Sequence, residues 1–290
     1  MKKNIIFIIN PISGGKSKVN FPDMAAKFLD AAKFNATYVF TEGRGHAYEL
    51  ALEKVNRDSD VLVAVGGDGT INEVASGIGE SGKLMGIIPY GSGNGLARSL
   101  GISLDDRLAV LALNKLNINR IDSGTFNDRN FFNMAGIGFD AHISTIFANH
   151  ITRGLAGYVK TAIAEISNYQ CQNYILEIDG KRIVRDAFMI SIANSSQFGN
   201  NAHISPFASL RDGLLDVVII KPFPLYQFPI LGYKMFNRST HTSNFVEIMK
   251  GKDIRIIREG SGAIHIDGEP CSMGSELRIK VKPLSLAVLV

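Results

Sequence analysis

The sequence predicts an α/β domain followed by a mainly antiparallel β domain. The first third of its 290 residues alternates short continuous apolar runs, such as Ile5 to Ile9, with segments whose apolar residues have helical spacing. Such runs are typical of inner parallel strands, and their alternation with helices is typical of a doubly wound sheet. From about Asn119 the pattern changes to short strands separated by turns. We therefore expect a domain boundary near residue 120, with residues 1–120 in the first domain and 121–282 in the second.

Strands and helices alternate in the first domain. Its strands are predicted at Ile5 to Ile9, Thr37 to Phe40, Val61 to Val65 and Met85 to Ile88. Its helices are predicted at Phe21 to Phe34, Ala47 to Val55, Ile71 to Ile78, Leu96 to Leu100 and Leu104 to Leu113. In doubly wound sheets, ligands bind at the carboxyl ends of the strands. The turns that follow these strands are therefore the first place to search for a site.

Short strands dominate the second domain. They are predicted at Phe131 to Met134, Tyr174 to Ile178, Ile183 to Ile192, Leu214 to Ile220, Ile254 to Ile257, Ala263 to Ile266 and Leu277 to Val281. Asp179-Gly180 predicts a hairpin, because this pair suits a type I′ turn. One helical segment, from about His142 to Tyr169, interrupts the strands. The second domain is thus expected to be antiparallel, with a helical insert.

The composition is that of a globular protein, with 46% hydrophobic and 20% charged residues. A net charge of +4 suits an anionic nucleotide or membrane surface but predicts neither. The sequence shows no basic-aromatic groove of the kind that binds nucleic acid. Cys171 and Cys271 have neither disulfide-framework nor zinc spacing, which favours a reducing cytoplasm. No apolar run approaches about 18 residues. We expect a soluble, cytoplasmic protein that at most rests on the inner face of a membrane.

Three glycine-rich turns follow three of the predicted strands. We call residues 10–16 the first turn (Asn-Pro-Ile-Ser-Gly-Gly-Lys), residues 66–70 the second (Gly-Gly-Asp-Gly-Thr) and residues 91–95 the third (Gly-Ser-Gly-Asn-Gly). Glycines leave backbone N–H groups unshielded, and a helix that starts after the turn adds partial positive charge. Three such turns at successive strand ends predict a phosphate-binding edge.

The second turn adds a carboxylate to this edge. Thr70 and Glu73 have the spacing of a capping box, which predicts that the following helix begins at the end of the turn. Asp68 then lies beside a loop that favours phosphate. A carboxylate in that position repels phosphate unless a cation lies between them, so Mg²⁺ is expected.

Two common nucleotide motifs do not account for these turns. A P-loop needs glycine five positions before the Gly15-Lys16-Ser17 sequence, and Asn10 stands there. A dinucleotide fingerprint of the form G-x-G-x-x-G fails at Leu96. Neither motif is therefore predicted.

The order of the motifs resembles the family of diacylglycerol kinases, sphingosine kinases and bacterial lipid kinases. The GGDGT sequence of the second turn also occurs in NAD kinases, but the later elements are more specific. They are PYGSGNGLAR from Pro89, FNMAGIGFDA from Phe132, SPFASLRDGLLDV from Ser205 and IDGEP from Ile266. The resemblance implies an NAD-kinase- and phosphofructokinase-like α/β domain and a C-terminal β-sandwich. It also implies that the last strand, about residues 283–290, returns to the first domain.

The resemblance implies an ATP- and Mg²⁺-dependent lipid kinase and assigns roles to individual residues. The implied ATP contacts are Asn10, Pro11, Ile12, Ser13, Gly14, Thr41, Gly66, Gly67, Asp68, Gly69, Thr70, Glu73, Gly91, Ser92, Gly93 and Asn94. Asp68 and Asp122 would help to hold the catalytic Mg²⁺. Glu269, with Asp267 beside it, would act as the general base toward the acceptor hydroxyl. The implied ligands of a second, structural metal are Asp212, Leu214 and Ser209.

The sequence leaves several alternatives open. Many bacterial diacylglycerol kinases have Asp where this chain has Gly95, so the metal arrangement and the choice between diacylglycerol and a sphingoid base stay open. Asp267-Gly268 and Asp212-Gly213 are also ordinary turn pairs. The apolar segment Phe223 to Phe236 suits a core, an acyl-chain groove or a peripheral membrane contact. A kinase for a soluble substrate such as NAD, a non-catalytic nucleotide-binding regulator and a homodimer also stay open.

Overall fold

The computed structural model describes residues 1–15, 17–56, 59–148 and 155–290. Lys16 of the first turn and residues 149–154 of the predicted helical segment lie outside the described residues. The chain divides into two compact units. Unit 1 comprises residues 1–121 and 284–290, and unit 2 comprises residues 122–283. The predicted fold class, an α/β unit and a β-rich unit, is confirmed.

Unit 1 is a parallel sheet with helical connections. Its strands are β1 Lys3–Ile9, β2 Phe34–Phe40, β3 Val61–Gly66 and β4 Leu84–Pro89. Its helices are α1 Phe21–Phe28, α2 His46–Val55, α3 Asp68–Ile78, α4 Gly95–Ser99 and α5 Asp106–Leu113, with a 3-10 helix at Ser13–Gly15. The strand order is β2-β1-β3-β4, and Ala287 and Val288 pair in parallel with Leu84 and Met85 beside β4. Strand β3 is buried along its whole length, as its continuous apolar run predicts.

Unit 2 contains two antiparallel layers. Its strands are β5 Ile118–Phe126, β6 Arg129–Phe131, β7 Met134–Gly138, β8 Gln172–Ile178, β9 Lys181–Ala187, β10 Met189–Ala193, β11 Leu215–Ile220, β12 Val246–Gly251, β13 Asp253–Ile257, β14 Gly262–Ile266, β15 Glu269–Met273 and β16 Glu276–Leu289. Its helices are α6 Phe139–Ala148, α7 Leu155–Glu165 and α8 Phe228–Phe236, with 3-10 helices at Leu225–Gln227 and Thr240–Thr242. Both β5 and β16 extend into unit 1.

The two layers of unit 2 enclose a shared apolar core. One layer has the order β16-β13-β8-β9, and the other has the order β12-β11-β10-β7-β14-β15. Side chains from both layers, including Tyr174, Leu176, Ile190 and Ile192, are buried in this core. A second apolar cluster, which includes Phe139, Ile143 and Leu231, packs α6 and α8 against the other face of the six-stranded layer. Two sheets that share one core form a sandwich.

Three predicted elements differ from the structure. Helix α1 stops at Phe28 rather than Phe34, because the Asn114 amide group binds the Phe28 carbonyl (2.8 Å) and the Asp30 N–H (2.9 Å). The single strand predicted over 183–192 is two strands that change layers at Phe188. The strand predicted at Phe131 to Met134 lies at the junction of two strands, β6 and β7. The helical segment predicted over 142–169 agrees with α6 and α7 among its described residues.

Two further details of the fold bear on function. The predicted Asp179-Gly180 hairpin is confirmed, because both residues have positive φ (47° and 82°) and join β8 to β9. Within the described residues, no helix combines the length and apolar character needed to cross a bilayer.

Candidate active site

The carboxyl edge of the unit 1 sheet carries all three glycine-rich turns. The backbone N–H groups of the residues that follow the strands donate hydrogen bonds to backbone carbonyls at the ends of neighbouring strands. These bonds run from Asn10 to Val65 (3.0 Å), from Thr41 to Ile9 (2.8 Å) and from Tyr90 to Gly66 (2.7 Å). The turns thus start from fixed points of one sheet edge. Thr41 is buried at this edge beside the first turn.

The first turn contacts both of the others. The Asn10 amide nitrogen donates a hydrogen bond to Thr70 Oγ1 of the second turn (3.1 Å). Gly14 has φ +64°, and a Cβ atom on it would overlap the carbonyl oxygen of Tyr90, which precedes the third turn. Position 14 therefore requires glycine for its backbone conformation and for its close approach to Tyr90.

The second and third turns meet through their glycines and through Asp68. A Cβ atom on Gly91 would lie 2.8 Å from the Cα atom of Gly67, so no side chain fits at that position. The Asp68 carboxylate accepts backbone hydrogen bonds from Asn94 and Gly95, both at 2.9 Å. The three turns therefore form one continuous surface of backbone.

Asp68 performs a structural task that the sequence did not reveal. Each of its oxygens accepts one N–H group of the third turn, from Asn94 at one oxygen and from Gly95 at the other. An ionised carboxylate has about four lone-pair positions, more than these two hydrogen bonds occupy. Asp68 can therefore brace the third turn and still face a cation.

Glu73 does not form the predicted capping box. Helix α3 begins at Asp68, three residues earlier than expected, with Gly67 at the N-cap position. The Glu73 carboxylate instead accepts hydrogen bonds from the backbone N–H groups of Gly45 (2.8 Å) and Ala47 (3.1 Å). These donors lie at the N-terminus of α2, where a negative charge is favourable. Glu73 thus joins α3 to α2, and its predicted contact with ATP stays a prediction.

The third turn has an internally fixed shape. Asn94 has the left-handed φ of 52°, and its side-chain amide accepts from the Gly91 N–H and donates to the Gly91 carbonyl, both at 2.8 Å. Arg98 Nε donates to the Gly93 carbonyl at 3.0 Å. Arg98 thus braces the turn, and its positive charge lies next to the predicted phosphate-binding edge.

Lys18 is a buried cation that sequence reasoning missed. It is only 1% exposed, and its ammonium group donates to the Ser13 carbonyl of the first turn (2.5 Å) and lies 4.8 Å from the ring centroid of Tyr90. Burial, with a hydrogen bond to Asp106, raises the pKa of Tyr90 well above its usual range. No local pattern marks Lys18 as buried, because it lies in a polar segment.

In unit 2, the Asp267-Gly268 pair forms the tight hairpin between β14 and β15 and places Glu269 at the start of β15. Both turn residues have positive φ (47° and 87°), as a type I′ turn requires. The turn thus fixes Glu269, and the structural and catalytic interpretations of this motif are compatible.

Asp267 is a positioning residue by its contacts. Its carboxylate accepts backbone hydrogen bonds from Phe132 (3.0 Å), Asn133 (2.9 Å) and Met134 (2.8 Å), and its own N–H donates to the Met134 carbonyl (2.8 Å). A buried carboxylate that fastens a turn to three backbone donors is poorly placed to accept a substrate proton. Of the two residues that the sequence offered as a base, the geometry therefore favours Glu269.

A second buried polar network surrounds His265 on β14, the strand that precedes this turn. His265 Nε2 lies 3.0 Å from Asp140 Oδ2, and Ser191 Oγ donates to the same oxygen at 3.2 Å. His265 Nδ1 is buried, and no hydrogen-bond partner for it occurs among the described residues. The sequence assigned His265 nothing, since neither metal spacing nor a known motif marks it.

Asp122, the second residue predicted to bind the catalytic metal, is fully buried in unit 2. Its carboxylate accepts from the Gly213 N–H (2.7 Å), and its carbonyl accepts from the Asn194 side chain (2.7 Å). Within the described residues, no three or more His, Cys, Asp or Glu side chains are grouped closely enough to hold an ion. A metal here would need water and substrate oxygens, which is how Mg²⁺ is usually bound at phosphate sites.

The residues that the resemblance assigns to a second, structural metal are poorly suited to bind a cation. Lys250 Nζ lies 2.7 Å from Asp212 Oδ2 and 3.0 Å from Asp216 Oδ1, so an ammonium group already lies where the cation would be. The Leu214 N–H donates to the other Asp212 oxygen (3.2 Å), and Ser209 Oγ accepts from the Arg211 N–H. Partial burial lowers the pKa of Lys250, but the two carboxylates outweigh burial and leave it raised. We assign no role to a metal at this position.

Comparison with known proteins covers nearly the whole chain. Residues 4–126 match the family model of the diacylglycerol kinase catalytic domain, and residues 133–290 match that of the YegS C-terminal NAD kinase beta sandwich-like domain. A Chromohalobacter salexigens protein named "Probable lipid kinase YegS-like" is 30% identical over 90% of this chain and 86% of its own length. A diacylglycerol kinase of Staphylococcus saprophyticus is 29% identical over 93% of this chain and 90% of its own length.

A solved structure shows the same fold. The crystal structure of a diacylglycerol kinase from Bacillus anthracis aligns with a TM-score of 0.77 at 22% identity, covering 99% of this chain and 96% of that one. At this identity the likeness concerns the fold alone. The two domain matches and the 30% identical relative show that the chain belongs to the family of diacylglycerol kinases and YegS-like lipid kinases.

Proposed function

We propose that this protein transfers the γ-phosphate of ATP, with Mg²⁺, to a hydroxyl group of a lipid such as diacylglycerol or a sphingoid base. The observation that carries the proposal is the convergence of the three glycine-rich turns around Asp68. Phosphoryl transfer requires alignment and charge neutralisation more than covalent chemistry by the protein. A rigid backbone surface with adjacent cations and a carboxylate meets those requirements.

The three turns would hold the triphosphate. Their glycines expose backbone N–H groups, and the N-terminus of α3 adds partial positive charge beside Asp68. Lys18 and Arg98 bind turn carbonyls and so fix the turns while adding positive charge.

Asp68 and Asp122 would hold Mg²⁺, directly or through water. When bound, the ion would neutralise charge on the β- and γ-phosphates. The carboxylate of Asp68 is already oriented by the Asn94 and Gly95 N–H groups, so binding requires little further ordering of that side chain. The site would therefore depend on an intact third turn.

Glu269 would accept the proton of the acceptor hydroxyl. Asp267 would act through it, because its three backbone hydrogen bonds fix the two-residue turn from which Glu269 projects. A general base of this kind contributes about 10²- to 10⁴-fold to the rate. The names of the relatives support a lipid as the acceptor, diacylglycerol among them.

The test is phosphorylation from radiolabelled ATP of diacylglycerol, monoacylglycerol, a sphingoid base and NAD, with products separated by thin-layer chromatography. We expect label in at least one lipid, loss of turnover on chelation of Mg²⁺, and strong loss in Asp68→Ala and Glu269→Gln. Glu259→Gln, at an exposed glutamate of unit 2, is the matched control and should retain full turnover.

Two results would refute the proposal. Label in NAD alone would identify a kinase for a soluble substrate. ATP binding that Glu269→Gln leaves intact, with no acceptor labelled by the unmodified protein, would identify a nucleotide-binding regulator.

A further inference from the structure

The outer face of helix α8 is apolar, although it faces solvent. We define the α8 face as Leu225, Tyr226, Ile230, Tyr233 and Phe236, which are 57%, 68%, 42%, 68% and 49% exposed. Ile230, Tyr233 and Phe236 recur every three positions, so they lie along one side of α8, and Leu225 and Tyr226 belong to the 3-10 helix that precedes it. An ordinary surface helix carries polar residues on that side.

The other side of α8 is anchored in the core. Leu231 is buried, and Phe228 and Met235 pack against the cluster that contains Phe139 and Phe188. Lys234 Nζ also donates to Thr242 Oγ1 at 2.5 Å. The helix is therefore fixed to unit 2, and its exposed side chains cannot turn inward without unpacking this cluster.

The segment that carries the α8 face is cationic. Residues 217–246 contain no Asp or Glu, but they contain Lys221, Lys234 and Arg238. Arg238 is exposed, and Lys221 and Lys234 are partly exposed. Exposed aromatic and aliphatic side chains with a cationic border fit the surface of a bilayer that contains anionic lipids. Tyrosine is also enriched at the level of the headgroups.

We propose that the α8 face docks the protein on an anionic lipid bilayer. The inference rests on the proposed function in one respect, since an acceptor lipid with long acyl chains resides in a bilayer. Tyr226 and Tyr233 would lie at the headgroup level, and Leu225, Ile230 and Phe236 would contact acyl chains. Lys221 and Arg238 would lie near lipid phosphates.

The test is co-sedimentation with vesicles of phosphatidylcholine containing about a third phosphatidylglycerol, without ATP. We expect Ile230→Ser and Tyr233→Ser each to weaken binding about tenfold, the effect of losing about 1.4 kcal/mol of apolar burial. Binding should also weaken in vesicles of phosphatidylcholine alone and at high salt. The matched control is Leu108→Ser on α5, where the leucine is 56% exposed; it should bind as the unmodified protein does.

A second measurement separates docking from catalysis. Tyr233→Ser should retain turnover of a short-chain diacylglycerol dissolved as monomers and lose turnover of a long-chain lipid in vesicles. If the unmodified protein binds vesicles through the α8 face yet phosphorylates no lipid, the docking surface stands and the proposed function fails.

Three results would overturn the docking proposal. One is vesicle binding unchanged in Ile230→Ser and Tyr233→Ser. Another is that the unmodified protein binds no vesicles and forms a dimer that Tyr233→Ser converts to a monomer, since the face would then be an interface between copies. The third is equal loss of turnover toward the monomeric and the vesicular lipid, which would place Tyr233 in the acceptor site.

Discussion

Replacement of Asp267 by Asn would separate positioning from catalysis in the hairpin that carries Glu269. The Asp267 carboxylate accepts three backbone N–H groups, two at one oxygen and one at the other. Asn has the same shape but only one acceptor oxygen. Its NH₂ group would therefore face a backbone donor, and the surviving hydrogen bonds would lose their charge assistance.

The size of the effect follows from these contacts. A hydrogen bond to a charged group contributes about 1.5–3 kcal/mol, and a buried donor left without an acceptor costs about 1–3 kcal/mol. We expect Asp267→Asn to lower the free energy of unfolding by about 2–4 kcal/mol, measured by urea titration. Glu269→Gln, which keeps the shape of a partly exposed side chain, should lower this free energy by less than Asp267→Asn does and should lower kcat by about 10²- to 10⁴-fold.

The comparison of the two variants decides the assignment. The reasoning would be refuted if Asp267→Asn changed the free energy of unfolding by less than about 0.5 kcal/mol and lowered kcat more than Glu269→Gln does. Asp267 would then be the base. A Glu269→Gln variant that unfolds as readily as Asp267→Asn would show that Glu269 also holds the hairpin together.

Three further predictions follow from other contacts. Gly14→Ala should weaken ATP binding, measured by calorimetry, by about tenfold or more, because the added Cβ atom overlaps the Tyr90 carbonyl oxygen. Gly15→Ala is the control, since Gly15 also has a positive φ but has open space around its Cβ position, and it should change ATP binding by less than about threefold. Burial and the neighbouring Arg238 guanidinium lower the pKa of His203 in the folded protein, so the unfolded chain takes up the proton at a higher pH than the folded chain does. The free energy of unfolding should therefore fall as pH drops below about 6.5, and His203→Gln should weaken this pH dependence in urea titrations at pH 5.5 and 7. Lys250→Met should lower the free energy of unfolding by about 1–3 kcal/mol, and any rise that Mg²⁺ causes in the urea midpoint of the unmodified protein should persist in Asp212→Asn; its loss in that variant would indicate a metal at Asp212.

Local patterns predicted the elements that depend on local chemistry. Continuous apolar runs predicted the buried strands of unit 1, and Asp-Gly pairs predicted the hairpin at 179–180. The glycine-rich turns were expected at one sheet edge, because parallel strands that follow each other place their carboxyl ends together. The structure confirms that these turns meet.

Long-range partners could not be predicted in this way. Glu73 has the spacing of a local cap, yet its carboxylate binds the N-terminus of a different helix, 26 and 28 residues away. Lys18 stands in a polar segment and becomes buried only when the first turn folds over it. Lys250 pairs with Asp212 across 38 residues. In each case the sequence shows the charge, whereas the partner depends on the fold.

The sheet of unit 1 also contains residues 284–290, which has a consequence for how the protein folds during synthesis. These residues pair beside β4, where Leu286 and Val288 are almost completely buried, and Val290 donates to the Asn117 carbonyl at 2.9 Å. A ribosome releases them only after all of unit 2. Until then, the growing chain presents β4 as an open, apolar strand edge, the kind of surface that aggregates. Chaperone binding to nascent chains that end between residues 121 and 283 is the expected result.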